Sequence, residues 1–150
     1  MAITLSWALL VWSGLVAFVA STWLLMALRR AGVTRYLPRA YWSCALFGST
    51  RDTALVFAGL LRSLAMIAVV PFLYALAFSY ADRAEALVGL FFGLGHGLLA
   101  GLLLPLAARR CRGAVPPGIL GWNLGRATPF ALLLVHAVYG ALLGYIYVNG

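Results

Sequence analysis

Residues 89–105 read GLFFGLGHGLLAGLLLP, and the reading of this stretch decides the fold. It carries no Asp, Glu, Lys or Arg, and His96 is its one polar side chain. With its flanks it becomes an apolar run from about Glu85 to Ala107. At 1.5 Å of rise per residue, such a helix crosses roughly 30 Å of hydrocarbon. Gly89, Gly93, Gly97 and Gly101 recur every four residues, so they form one stripe along which a second helix backbone can approach closely.

The rest of the chain repeats the pattern. With 65% hydrophobic and 9% charged residues over 150 positions, and a mean hydropathy of +1.01, there is too little polar surface to cover a water-soluble globule. Three further runs, at about 3–28, 53–80 and 128–148, are long enough to span a bilayer. The expected fold is therefore all-α, a four-helix transmembrane bundle forming one domain over residues 1–150. Asp82 followed by Glu85 suggests a capping box for the third helix, and Thr128 with Pro129 an N-cap and N1 proline for the fourth. Pro71 and Pro105 lie inside spans and predict bends. The first run has no basic residue before it and Arg29 and Arg30 after it, the pattern of an anchor rather than a cleaved signal.

Charge sets the expected orientation. Arg29, Arg30, Arg35, Arg39 and Arg51 fall in one connection and Arg109, Arg110, Arg112 and Arg126 in another, whereas the connection between them holds only Arg83 beside Asp82 and Glu85. The positive-inside rule places the two arginine-rich connections in the cytoplasm and both termini outside, in a multi-pass membrane protein. The net charge of +8 is then a topology signal that also attracts anionic lipid, and it gives no support to nucleic-acid binding. Cys44 and Cys111 lie in the connections assigned to the reducing side, which argues for two free structural thiols.

Three ionisable side chains, Arg62, His96 and His136, sit inside spans, where such groups are costly and by default mark a site. Counted from their helix starts, His96 lies roughly 16 Å from the outer edge of the hydrocarbon and His136 roughly 12 Å from the inner edge, nearly one depth. On the fourth helix, His136, Tyr139, Gly140, Gly144 and Tyr147 share one face, expected to meet the glycine stripe. Packing alone accounts for this arrangement. The alternative is a haem or chlorin held between His96 and His136, but helices packed through glycine leave no room for a macrocycle, so the two readings compete for one face. The balance is no cofactor, with no metal set. Arg62 has no Asp or Glu in any span to neutralise it; either it reaches a lipid phosphate or a partner completes it. Arg62, Gly93, Gly97, Asn123, Arg126 and Tyr139 are accordingly the expected partner or lipid contacts.

The segment from Pro116 to Arg126, with Gly118, Gly121, Gly125 and Asn123 leading into a helix start, is either a turn or a cradle for a lipid headgroup. There is no phosphate loop, dinucleotide fingerprint, Ser-His-acid set or metal-binding spacing, so catalysis by the chain alone is not expected.

The stretches GVTRYLPRAYWSCALFGSTRD (32–52), GLFFGLGHGLLAGLLLP (89–105) and PPGILGWNLGRATPFALLLVHAVYGALLGYIY (116–147) together resemble a family of small uncharacterised bacterial four-helix integral membrane proteins. The resemblance implies the fold, a bacterial inner-membrane location, so that the outside termini are periplasmic, and no activity; the chain departs from the family pattern in carrying Arg62 where a histidine is usual. The resulting expectation is a non-catalytic auxiliary or structural subunit of a larger membrane complex, for example a photosynthetic or respiratory one, in contact with other membrane subunits and anionic lipid. The alternatives are a small transporter or channel using the three ionisable groups as a polar path, and a haem-binding electron carrier.

Overall fold

The computed structural model describes residues 6–82, 84–111 and 114–149, with the backbone alone at 148 and 149. Arg83, Arg112 and the expected first-helix start at Ile3 lie outside the described residues, among which there are helices and no strand. The helices are α1 (Trp7–Arg30), α2 (Pro38–Phe47), α3 (Asp52–Leu64), α4 (Val70–Ala81), α5 (Ala86–Arg109) and α6 (Thr128–Asn149). A π-helical turn, Ala65–Val69, fuses α3 and α4 into one span, so that four helices are long and apolar enough to cross a membrane, as expected.

The central helix is α6, with half of its span buried against 17% of the Asp52–Ala81 span. The glycine stripe of α5 lies along it. A Cβ placed on Gly89 would stand 2.1 Å from the Gly140 carbonyl oxygen, and one on Gly93 2.2 Å from that of His136. Backbone thus meets backbone, the close approach that small residues permit where no hydrophobic effect drives helix association. On the far side, α1 crosses the fused span at Gly14, where a Cβ would meet the Ile67 carbonyl oxygen and the Pro71 ring, each at 2.4 Å.

Pro71 explains the π-turn and one of its partners. It lacks the amide that would serve the π-turn carbonyl of Met66, and the Val70 amide is already bonded to Ala65. The Tyr139 hydroxyl on α6 donates to the orphaned Met66 carbonyl, tying the irregular turn to the central helix. At Pro105, by contrast, α5 runs on to Arg109 without interruption.

Four local expectations are corrected. The connection 29–52 contains a helix, α2, started by Pro38 and ended by Gly48 in the left-handed conformation (φ 61°), whose amide bonds to Cys44. Asp82 does not cap the third helix: it closes α4 in the left-handed region (φ 51°), and Glu85 takes the extended N-cap position of α5 without a side-chain hydrogen bond. Thr128 is the first helical residue of α6 rather than its cap, and its hydroxyl is 2.8 Å from that of Thr34, pinning the α1–α2 connection to the start of α6. Cys44 and Cys111 are not free: they form a disulfide, with Cα atoms 5.3 Å apart. The reason is tertiary, because the last turn of α2 docks beside the end of α5 and brings together positions 67 apart in sequence.

Candidate functional site

Two apolar clusters hold the bundle. One gathers Leu10, Ala17, Met66, Tyr74, Phe78, Tyr139 and Tyr147, the other Leu25, Tyr36, Tyr41, Leu104, Leu124, Leu132 and Val135. Between them lies a half-open cavity of about 360 Å³. Its walls come from α1 (Ser21, Leu25), α2 with its approach (Tyr36, Tyr41, Trp42), the second span (Arg62, Met66), α5 (His96 to Ala107) and α6 (Leu132 to Tyr139). Arg62, His96 and His136 all line it, so the three residues singled out by depth share one space.

The polar groups are held differently. His136 Nδ1 is 2.7 Å from the Leu132 carbonyl oxygen, one turn back on its own helix. A carbonyl only accepts, so Nδ1 carries the proton and Nε2 is left as an acceptor. His96 Nδ1 is 3.3 Å from the Tyr74 hydroxyl. The two imidazoles touch edge to face, with ring centroids 4.8 Å apart and planes at 71°, and Gly97 makes room for this, since a Cβ there would lie 3.0 Å from the His136 Cβ. Axial ligation of a haem requires both rings to point a nitrogen at a metal lying between them, with roughly 2 Å on each side and a macrocycle in the gap. Rings in direct contact leave no such gap in this arrangement, and the glycine stripe beside them is packed against α6.

Arg62 projects inward. Its guanidinium carbon lies 5.2 Å from the Phe18 ring centroid, a cation–π contact, and the charge is within electrostatic reach of Tyr36, Tyr139 and His136. No cavity-lining residue is a carboxylate. The three acids stand at helix ends: Asp52 opens α3, Asp82 closes α4 and Glu85 precedes α5. Tyr36 does not supply an anion either, because burial pushes its phenol up to about 12, against the pull of the Arg62 charge.

The remaining expected contacts divide. Gly93 and Gly97 face α6 within the chain, and Tyr139 is buried with its hydroxyl committed to Met66. Asn123 donates to the Pro116 carbonyl at 3.3 Å and stands against Gly118, an internal brace of the 116–126 turn. It borders a second, smaller cavity with Arg35 and Cys44, and Arg126 is exposed; neither Asn123 nor Arg126 reaches the main cavity. Sequence reasoning missed Tyr36, Tyr41, Trp42 and Tyr74. The first three sit on or beside α2, which Pro38 and Gly48 announce by the proline-first, glycine-last asymmetry of helices. Helix α2 is itself tied down twice, by the disulfide and by Arg110 Nη1 donating to the Ala45 carbonyl at 2.7 Å. Among the described residues, no group of three His, Cys, Asp or Glu could hold a metal.

No family model, curated protein or solved structure matches the chain.

Proposed function

We propose that this chain is a non-catalytic, auxiliary protein of a bacterial inner membrane, working beside other membrane subunits, and that its own part is to hold a small hydrophobic molecule inside the bundle. One observation carries the reading: a half-open cavity, walled mostly by apolar surface, contains a permanent cation and no carboxylate. A site of that kind binds rather than transforms, since His136 is committed to a backbone carbonyl and the two imidazoles face each other without a nucleophile or acid between them. The subunit role draws support from the outward face of α3, where Val56, Phe57, Leu60, Leu61 and Leu64 are exposed and apolar, suited to lipid or a neighbouring helix. Extraction in a mild detergent followed by native mass spectrometry tests both parts. A heavier assembly and a bound small-molecule mass on this chain are expected. A bare monomer under the gentlest conditions overturns the subunit role, and a chain always free of added mass overturns the holding role.

The arginine-rich face, which includes α2 and the disulfide, is assigned to the cytoplasm on charge. The Cys44–Cys111 disulfide lies on this face, and disulfides persist in oxidising compartments, so the redox state of the pair in the cell bears directly on that orientation. Alkylation in intact cells before lysis tests the orientation, and a pair that is blocked as free thiols keeps the arginine-rich face in the cytoplasm. A pair already oxidised in the cell would reverse the orientation.

A further inference from the structure

The holding role leaves the occupant's chemistry open, and the cavity wall specifies it further. We propose that the cavity takes a single-chain amphiphile with a monoanionic oxyanion head, a long-chain carboxylate, the head at Arg62 and the chain along the leucine wall of α5. The inference rests on the proposed holding role.

Charge comes first. A guanidinium in a bilayer does not lose its proton and is costly unless something neutralises it. The Phe18 ring offers it a quadrupole, not a charge, and the tyrosines and histidines around it offer dipoles. Tyr36 stays a neutral phenol at cellular pH and is left able to donate a hydrogen bond to an anion beside Arg62. With no acid among the lining residues, the missing negative charge belongs to the occupant. One cation matches one negative charge, which favours a carboxylate over a doubly charged phosphate monoester, and the planar fork of arginine suits a carboxylate's two oxygens.

Size and access set the rest. About 360 Å³ lies at the low end of the roughly 300–1,000 Å³ of small-molecule pockets, space for one chain rather than a two-chain phospholipid. Leu46, Leu99 and Leu103 line the cavity and are exposed, so its opening has an apolar rim. An amphiphile dissolved in the bilayer can enter sideways, whereas a hydrophilic anion would have to cross that rim.

Trp42 lines the cavity and makes a local reporter, while Trp7, Trp12, Trp23 and Trp122 are exposed and can be replaced by Phe to leave it alone. The full-length chain in detergent is titrated with dibrominated stearate, a contact quencher, and in parallel with dibrominated stearyl alcohol, of the same chain but uncharged. Saturable quenching by the acid is expected, with the alcohol about tenfold weaker or more, because a hydrogen bond to a charged group is worth roughly 1.5–3 kcal/mol. Arg62→Leu should remove the preference for the acid, and Arg62→Lys should restore part of it. Equal quenching by acid and alcohol overturns the carboxylate assignment and leaves the holding role standing. Saturation by neither, in a preparation whose native mass spectrum shows some other bound molecule, overturns the assignment in the same way; saturation by neither with no bound mass overturns both. Should Arg62→Leu fail to fold, the comparison of acid and alcohol on the parent decides alone.

Discussion

Helix α5 has two sides, and they show opposite uses of small side chains. Towards α6 its glycines close the gap until carbonyl oxygens of each helix occupy the places where side chains would begin. Towards α2 and the second span, a quarter-turn away in register, His96, Leu99, Ala100 and Leu103 border open space. The difference lies in what stands opposite. Across from the stripe is another glycine face, Gly140 and Gly144, so the backbones meet. Across from the cavity stand the bulky Tyr36, Tyr41, Trp42 and Arg62, rooted in a short helix and an irregular span that the disulfide, Arg110 and Tyr139 hold in place. A close-packed seam supplies rigidity, and beside it a propped-open wall supplies volume.

The sharpest way to break that comparison is to add a side chain on the closed side. Gly93→Leu must push its Cβ against the His136 carbonyl and Ala137 Cα, neither of which can swing away, and a loss of about 3 kcal/mol or more is expected, read as thermal unfolding in detergent. Gly95→Leu, two residues along and with nothing within 4 Å of its added Cβ, should leave stability near the parent. Equal behaviour of the two would mean the seam is absent.

A smaller effect is expected where the seam meets the prop. Tyr139→Phe keeps the ring and deletes the donor to the Met66 carbonyl, leaving a buried acceptor without a partner, at about 1–3 kcal/mol. Because Pro71 prevents the helix from serving that carbonyl itself, Pro71→Ala in the Tyr139→Phe background should recover part of the loss. Independent, additive effects would show that the proline does not orphan the carbonyl.

The smallest change in stability is expected in the open wall. In ligand-free protein Arg62→Leu removes a charge that nothing in the cavity neutralises, so the expected result is unchanged or slightly raised thermal stability. A loss of several kcal/mol would mean that contacts of Arg62 within the chain, such as that with the Phe18 ring, hold the fold, and would move it from the wall of a site to the core.

Much of the architecture was legible in residue patterns, for a definite reason. In hydrocarbon every backbone group must be satisfied within its own segment, so a long uncharged run can only be a helix, and the four spans follow from length and composition. The glycine stripe and the His136 face were legible too, because a period near four is intrinsic to one helix whatever it touches. Helix α2 escaped notice because its ten residues carry Arg39 and lie in a polar connection, although Pro38 and Gly48 marked its ends. The Asp82 expectation failed because two competing signals, a start for α5 and a stop for α4, overlap within four residues, and the left-handed stop won.

For the candidate site the division is similar. The depth of Arg62, His96 and His136 is a count along single helices and could be made from the chain alone; that Arg62 turns inward across Phe18 and shares a cavity with both histidines could not. Sequence by itself determined the four spans, their apolar reach and the absence of any acid within their apolar interiors. Tertiary structure alone decided that Cys44 meets Cys111, that Tyr139 supplies what Pro71 withholds, and that α2 stands off from α5 far enough to leave a cavity. The first set depends on local geometry and the solvent, which each segment meets independently, and the second on which surfaces come to face one another, which no segment carries within itself.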